Sequence, residues 1–249
     1  MPAKASLRVI LFLAVLLLSA TTLYATSWDA AGDYLAGWQA GQNPNGAWSY
    51  GWSTTPGSGL TLYTVNANNV GGYPQFDSWN DPNNFIYYTP VIYLNTGGEV
   101  NDNQLHNLPA GALVIHGGGT AASCGVDGAC FSETIWTAPT SGLFDLSATF
   151  TGRQYTMNGL VEIILTSNGN STTLLSGTVL DQTSQSLAQE ISLSAGDTLT
   201  FAAKSNVGLA ADTTQLDAMI TAVPEPSTLA LLGSGSLAGI GVLRRKLTL

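Results

Sequence analysis

The fold of this chain is constrained most by a series of short runs rich in Val, Ile, Thr, Tyr and Phe, separated by Gly, Asn, Asp and Pro. Such runs are typical of strands, whereas an amphipathic helix needs apolar residues every three to four positions. The pattern predicts an all-β protein, an antiparallel jelly-roll β-sandwich, with no amphipathic helix of ten or more residues between the two ends of the chain. The strand candidates are residues 60–65, 85–94, 112–116, 133–137, 143–150, 160–166, 172–180, 187–193, 198–203 and 215–221.

The central part of the chain is strongly acidic. Residues 28–222 contain fifteen acidic residues and two basic ones, Arg153 and Lys204, which gives a net charge of −13. A protein that binds a polyanion needs several Lys or Arg side chains to displace its counterions. The composition therefore excludes nucleic acid as a partner.

The N-terminal residues follow the order of a secretory signal peptide. Lys4 and Arg8 precede an uninterrupted apolar run over residues 9–18, and small and polar residues dominate from there to Ser27. This apolar run is too short to cross a bilayer core of about 30 Å at about 1.5 Å per residue. We predict that residues 1–25 are a signal peptide, with signal peptidase cleaving after Ala25 or Ser27 once the chain is exported through the inner membrane.

The C-terminal residues have three parts in a fixed order: Pro224-Glu225-Pro226, an apolar stretch over residues 227–243, and the cations Arg244, Arg245 and Lys246. Two prolines this close together end any strand or helix and hold the backbone extended. The apolar stretch spans about 25 Å as a helix, near the short limit for a transmembrane helix. The cations favour the cytoplasmic side of the membrane.

This order resembles the PEP-CTERM sorting domain of bacteria that make extracellular polysaccharide. The resemblance implies that residues 223–249 are recognised by an exosortase, a membrane transpeptidase-like enzyme that cleaves near the Pro-Glu-Pro motif. It also implies a destination at the cell surface or in the extracellular matrix. A permanent tail anchor in the membrane is the alternative interpretation.

The second half of the central part carries a second pattern. It reads W-T-A-P-x-x-G-x-F from Trp136, L-S-A-G-D-T-L-T-F-A from Leu193 and D-x-T-x-L-D-A-x-I from Asp212. Residues 105–222 thereby resemble jelly-roll domains of the carbohydrate-binding-module type, which implies the fold more than the function. We interpret the tryptophan-rich residues 28–104 as the first strands and long loops of the same sandwich, because a segment of about 75 loop-rich residues makes a poor core alone. The sandwich domain is thus predicted to span residues 28–222.

Two short motifs have both a chemical and a structural interpretation. His116-Gly117-Gly118-Gly119 copies the oxyanion loop of α/β-hydrolase esterases, but the sequence lacks the Gly-x-Ser-x-Gly nucleophile motif, which favours a plain glycine turn. Cys124 and Cys130 enclose five residues. In an exported protein this spacing predicts a local disulfide, because two thiols alone do not complete a tetrahedral zinc site. Closing so short a loop is worth about 2 kcal/mol, so the disulfide is expected to shape a loop rather than hold the fold.

Oxygen-rich loops and aromatic residues offer two kinds of binding site. Structural Ca²⁺ is an alternative to solvated turns for six acids that lie in loop-like contexts without an EF-hand pattern: Asp77, Asp81, Asp102, Asp127, Asp212 and Asp217. Trp48, Trp52 and Trp79 belong to an aromatic group that either stacks on sugar rings or fills the core. We expect no other cofactor or metal.

The carboxylates of the chain do not identify a catalytic pair. Glycoside hydrolysis needs two carboxyl groups about 5 to 10 Å apart in a cleft, and nothing in the spacing of the glutamates singles out two of them: Glu99, Glu133, Glu162 and Glu190. The sequence therefore predicts a non-catalytic exported protein of the cell surface or extracellular matrix. A carbohydrate-binding module that recognises extracellular polysaccharide is the alternative, and a hydrolase of unrecognised type is a third.

Overall fold

The protein is represented by a computed structural model that describes residues 25–81, 90–118, 130–206 and 212–224. Within these ranges strands dominate, and residues 27–221 form one compact unit. The elements are β1 (Ser27–Asp29), α1 (Ala30–Ala40), β2 (Trp48–Ser53), β3 (Thr61–Leu62), β4 (Val65–Ala67), β5 (Phe76–Asn80), β6 (Val91–Asn95), β7 (Leu113–His116), β8 (Phe131–Thr137), β9 (Gly142–Gly152), β10 (Asn158–Ser167), β11 (Asn170–Leu180), β12 (Ser184–Leu193), β13 (Thr198–Ser205) and β14 (Thr214–Ala222).

The strands form two sheets. The larger, eight-stranded sheet has the order β12-β9-β14-β7-β6-β5-β4, with β1 also paired to β14, and the smaller, six-stranded sheet has the order β11-β10-β13-β8-β2-β3. Neighbouring strands pair antiparallel, and from β8 onward the chain passes repeatedly between the sheets, as in a jelly roll. The predicted all-β antiparallel fold is confirmed.

The main core lies between the two sheets and is rich in aromatic rings. Trp136 of β8 meets Trp28 of β1 edge to face at 5.2 Å and Phe144 of β9 at 5.3 Å, measured between ring centroids. Strict alternation along β9 turns Phe144, Leu146 and other apolar residues inward, while the residues between them face solvent. Each such buried side chain stabilises the fold by roughly 1.5–3 kcal/mol.

A second apolar cluster lies on the outer face of the larger sheet. Phe76, Tyr93 and Val114 come from β5, β6 and β7, and the connection between β6 and β7 packs Leu105 and Leu108 onto them. This connection therefore covers the outer face of one half of the larger sheet. The other half, formed by β14, β9 and β12, keeps exposed side chains on its outer face.

The helix α1 corrects one prediction, because residues 30–40 are helical although no helix of such length was expected between the two ends. Asp29 caps its start by accepting a hydrogen bond from the backbone N–H of Ala31, and Gly41 ends it in the left-handed conformation. Tyr34 fixes the helix to the larger sheet, since its hydroxyl donates to the carbonyl of Ile92 at 2.9 Å. Tertiary contacts and caps, rather than a strong apolar period, specify this helix.

Candidate functional site

The predicted sorting signals lie almost entirely outside the described residues. β14 ends at Ala222, and of the predicted sorting residues the structure describes Pro224, while Glu225, Pro226, Arg244, Arg245 and Lys246 lie outside it. The same holds for most of the predicted signal peptide and for the apolar stretch at residues 227–243. Within the part of the chain that the structure describes, no helix is long and apolar enough to cross a membrane.

The three tryptophans predicted to stack on sugars differ in burial. Trp48 is 1% exposed and Trp79 is 3% exposed, so neither ring offers a face to a ligand in this structure. The indole N–H of Trp48 donates to Asp33 at 2.8 Å, as expected because a buried tryptophan N–H needs a hydrogen-bond partner. Trp52 is half-buried, and it is the one residue of the three that keeps accessible surface.

Gly117, the first glycine after His116, is required by packing. A side chain at Gly117 would come within 2.5 Å of the backbone of Lys204. The backbone N–H of Gly117 donates to buried Asp212 at 2.8 Å, and His116 Nδ1 lies 2.9 Å from the same carboxylate. Gly119 lies outside the described residues, as does Cys124, so the disulfide between Cys124 and Cys130 stays a prediction.

The acids considered for calcium binding are spread over the molecule. Asp102 stabilises the turn that contains it: it accepts hydrogen bonds from the backbone N–H groups of Gln104 and Leu105 and from the hydroxyl of Tyr73. Asp127 lies outside the described residues. Within the ranges that the structure describes, no three His, Cys, Asp or Glu side chains converge on one point, and the calcium alternative stays a prediction.

Glu133 is a buried carboxyl group on the outer face of the smaller sheet. It stands opposite Gly51 of β2 and Ala202 of β13, whose small side chains leave room around it, and it is 1% exposed. The hydroxyl of Ser53 donates a short hydrogen bond to it. Burial, reinforced by the charge of Glu162 and opposed by the Ser53 hydrogen bond, raises the pKa of Glu133 to about 7.

The loop of residues 54–60 crosses this same outer face. A side chain at Gly57 would meet Ile164 of β10 at 3.0 Å, and one at Gly51 would meet Leu60 at 2.9 Å. The loop therefore lies directly on the sheet at both ends of its path. The carboxyl group of Glu133, next to this loop, is therefore not accessible to a large substrate.

The open half of the larger sheet presents small hydroxyl groups. Across β9 and β12, the Oγ atoms of Thr149 and Ser186 are 2.9 Å apart, and those of Thr151 and Ser184 are also 2.9 Å apart. An open groove of about 260 Å³ lies at one end of this face. It is lined by Asp29, Ala31, Ser147, Thr149, Asp217, Ala218 and Met219.

A polar network leads from this face towards the opposite end of the sheet. Gln215 Nε2 donates to the carboxylate of Asp217 at 2.9 Å, and Arg153 Nε donates to Gln215 Oε1 at 2.7 Å. Arg153 begins the connection between β9 and β10. That connection meets two others in a group of side chains that we name the Tyr155 cluster: His106, Asn107, Tyr155, Leu180, Asp181 and Gln182.

The Tyr155 cluster combines an exposed ring with polar groups. Tyr155 is 44% exposed, and among the described residues it is the one exposed Trp, Tyr or Phe side chain. The ring of His106 contacts it edge-on, and His106 Nδ1 lies 2.5 Å from Asp181 Oδ2. The amide of Asn107 donates to Gln182 Oε1 at 3.4 Å.

Sequence reasoning missed the Tyr155 cluster because its members come from three separate connections. His106 and Asp181 are 75 residues apart in sequence. The left-handed conformation of Asn107 offers no signal either, since Asn69 and Asn168 adopt it elsewhere in the chain. Only the folded topology brings these side chains together.

Comparison with known proteins identifies the tail of the chain. Residues 222–246 match the PEP-CTERM protein-sorting motif, which confirms the predicted sorting signal. A motif of this kind implies export to the cell envelope or surface. No curated protein matches the chain.

Three solved structures show a distant similarity to the chain. Murine APRIL is 17% identical, with a TM-score of 0.29 over 51% of this chain and 94% of that one. The C-terminal CBM6 domain of LamC, a marine laminarinase from Zobellia galactanivorans, is 10% identical, with a TM-score of 0.26 over 65% and 93%. The N-terminal cellulose-binding domain of Cellulomonas fimi β-1,4-glucanase C is 17% identical, with a TM-score of 0.28 over 49% and 84%. Likenesses at this level assign neither a family nor a ligand.

Proposed function

We propose that the protein is a non-catalytic component of the bacterial cell surface or extracellular matrix, exported with a signal peptide and sorted by an exosortase. The observation that carries the proposal is the PEP-CTERM motif at residues 222–246, which begins where β14 ends. Pro224 follows the sandwich outside any strand or helix. An extended backbone at this point is the form that a processing enzyme needs in its cleft.

Processing is tested by mass spectrometry of the protein extracted from the surface of the producing bacterium. We expect its C-terminus to end near Pro224-Glu225-Pro226. Replacing Arg244, Arg245 and Lys246 together by Ser should leave the protein unprocessed or mislocalised, because the cations no longer hold the tail at the membrane. A matched control exchanges Arg for Lys and Lys for Arg, which keeps all three charges and should be processed normally. A wild-type surface protein that still ends at Leu249 would show a permanent anchor instead.

The arrangement of the carboxylates supports a non-catalytic role. Glu133 and Glu162 lie on one face of the smaller sheet, separated by the position of Ala202 on β13. Glu133 is 1% exposed beside the loop of residues 54–60, and Glu162 accepts a hydrogen bond from Ser176 on its other side at 3.3 Å. A glycoside-hydrolase pair needs both groups open to one cleft.

Carbohydrate binding is the second candidate function. It is favoured by the open half of the larger sheet, where rows of hydroxyl groups extend towards the Tyr155 cluster. Polar side chains beside an exposed aromatic ring match the alternation of hydroxyl groups and apolar C–H faces in a sugar. Screening the full chain on a glycan array tests this candidate, and an array without any signal would contradict it.

A further inference from the structure

We propose that the Tyr155 cluster binds one neutral pyranose unit of a polysaccharide, an inference that rests on the carbohydrate-binding candidate. Three connections meet at the cluster: residues 96–112 between β6 and β7, 153–157 between β9 and β10, and 181–183 between β11 and β12. Backbone hydrogen bonds tie them together, since the N–H of His106 donates to the carbonyl of Arg153 at 2.9 Å and that of Gln182 to Gly152 at 2.9 Å. These hydrogen bonds hold the three connections in fixed positions relative to one another.

The apolar part of the cluster suits the C–H face of a sugar ring. Leu180 is 50% exposed and Tyr155 is 44% exposed, the two largest values among the bulky apolar side chains of the described residues. Tyr155 lies in the connection 153–157, and Leu180 is the last residue of β11, next to the connection 181–183. Tyr155 is an exposed ring in a domain whose other described aromatic rings are buried or half-buried, and such a ring is typical of a binding surface.

The polar part of the cluster suits sugar hydroxyl groups. Asn107 and Gln182 are exposed and offer amide donors and acceptors to the hydroxyl groups. Asp181 is held in place by His106 Nδ1 at 2.5 Å. His106 in turn lies against the ring of Tyr155, so the contact between Asp181 and His106 helps to position the stacking ring.

The backbone at the cluster is strained in a way that fixes these side chains. Asn107, Thr156 and Gln182 have φ angles of 46°, 57° and 59°, in the left-handed region that non-glycine residues rarely adopt. Each of the three connections contributes one of them. Strain concentrated at one surface is typical of binding sites, where it holds side chains in the orientation that the ligand needs.

Charge selects a neutral sugar over an acidic one. Asp181 would repel a uronate, and the whole central part carries a net charge of −13. The neighbouring cation, Arg153, is engaged by Gln215 Oε1 at 2.7 Å. A neutral glycan meets no such repulsion.

The test is affinity gel electrophoresis of the full chain, extracted in mild detergent, against a β-glucan, a mannan, a xylan and a galactan, with alginate and polygalacturonate as acidic polymers. We expect at least one neutral polymer to retard the protein and neither acidic polymer to do so. Tyr155→Ala should weaken binding by about tenfold or more, which corresponds to about 1.4 kcal/mol. Leu62→Ala is the control, since Leu62 is 36% exposed on β3 of the other sheet.

Asn107→Gly is a second variant that removes an amide while keeping the left-handed backbone that glycine adopts freely. It should weaken binding severalfold, with circular dichroism and the unfolding midpoint unchanged. Retardation that survives both substitutions overturns the assignment to this cluster but leaves carbohydrate binding elsewhere intact. Equal retardation by alginate overturns the selection of neutral sugars. No retardation by any neutral polymer overturns both this inference and the carbohydrate-binding candidate, whereas export is measured separately.

Discussion

At the scale of single residues, Glu133 makes the stability of the sandwich depend on pH. Its pKa is raised from 4.5 to about 7 in the folded protein, mainly because burial disfavours the charge. Below pH 4.5 both states hold the proton, whereas between 4.5 and 7 the unfolded state releases it first. The free energy of unfolding should therefore fall as pH rises through this window, by at most about 3–4 kcal/mol at about 1.4 kcal/mol per pKa unit.

Glu133→Gln removes this titration, so the variant should lose less stability than the wild type between pH 5 and 8. Urea unfolding at a series of pH values measures the difference. Glu190→Gln is the control, because Glu190 is an exposed glutamate on β12 and its loss should leave the slope unchanged. Identical slopes for wild type and Glu133→Gln would contradict the buried carboxyl group as the source.

At the scale of elements, the strands from β6 to β14 were predictable, whereas β1, β2 and β5 were not. β9 alternates buried and exposed residues along its length, so its sequence alone reveals a strand with one face in the core. β2 and β5 are largely buried on both faces, and their Trp, Ser, Gly and Asn residues show no alternation. Of the predicted run 60–65, the structure places parts in β3 and β4. The predicted run 85–94 covers residues 91–94 of β6, while residues 85–89 lie outside the described residues.

The helix α1 was missed for a related reason. Its buried residues are only Ala30, Tyr34 and Gly37, of which Tyr34 alone is large, and Gly37 is required because a side chain there would meet Asn45 at 2.6 Å. The start and stop signals, Asp29 and Gly41, were present in the sequence but are too common to decide the matter alone. The Tyr155 cluster was harder still to predict from the sequence. Its side chains come from connections that are far apart in the chain, so they leave no local sequence pattern.

The cap of α1 gives a prediction at this scale. Asp29→Ala removes the acceptor for the backbone N–H of Ala31, at 3.1 Å, and should cost about 1 kcal/mol. For a domain of this size that lowers the unfolding midpoint by about 2–4 °C. Asp29→Asn keeps a capping oxygen and serves as the control in the same thermal scan. An unchanged midpoint for Asp29→Ala would mean that the tertiary contacts of Tyr34 hold the helix without its cap.

At the scale of the whole molecule, the sandwich begins and ends on neighbouring strands. β1 pairs with the end of β14, with Ser27 opposite Thr221 and Trp28 opposite Ile220. Both ends of the compact unit are therefore secured inside the larger sheet by ladder hydrogen bonds. The strands of the compact unit, residues 27–221, therefore pair with one another up to the residue where the sorting motif begins, residue 222.

This closure predicts that removal of both targeting segments leaves the sandwich intact. A chain of residues 26–223 should unfold within about 4 °C of the full chain, the equivalent of about 1 kcal/mol in a domain of this size. A chain that stops before β14 should not fold, because β14 lies between β9 and β7 and buries Leu216 and Ile220 completely. Each of these two side chains contributes roughly 1.5–3 kcal/mol, and the sheet would also lose the hydrogen bonds on both sides of β14. The total stability of a domain is only about 5–15 kcal/mol. Thermal scans by circular dichroism separate the outcomes, and a large loss of stability in the 26–223 chain would show that the tail is part of the fold rather than a removable signal.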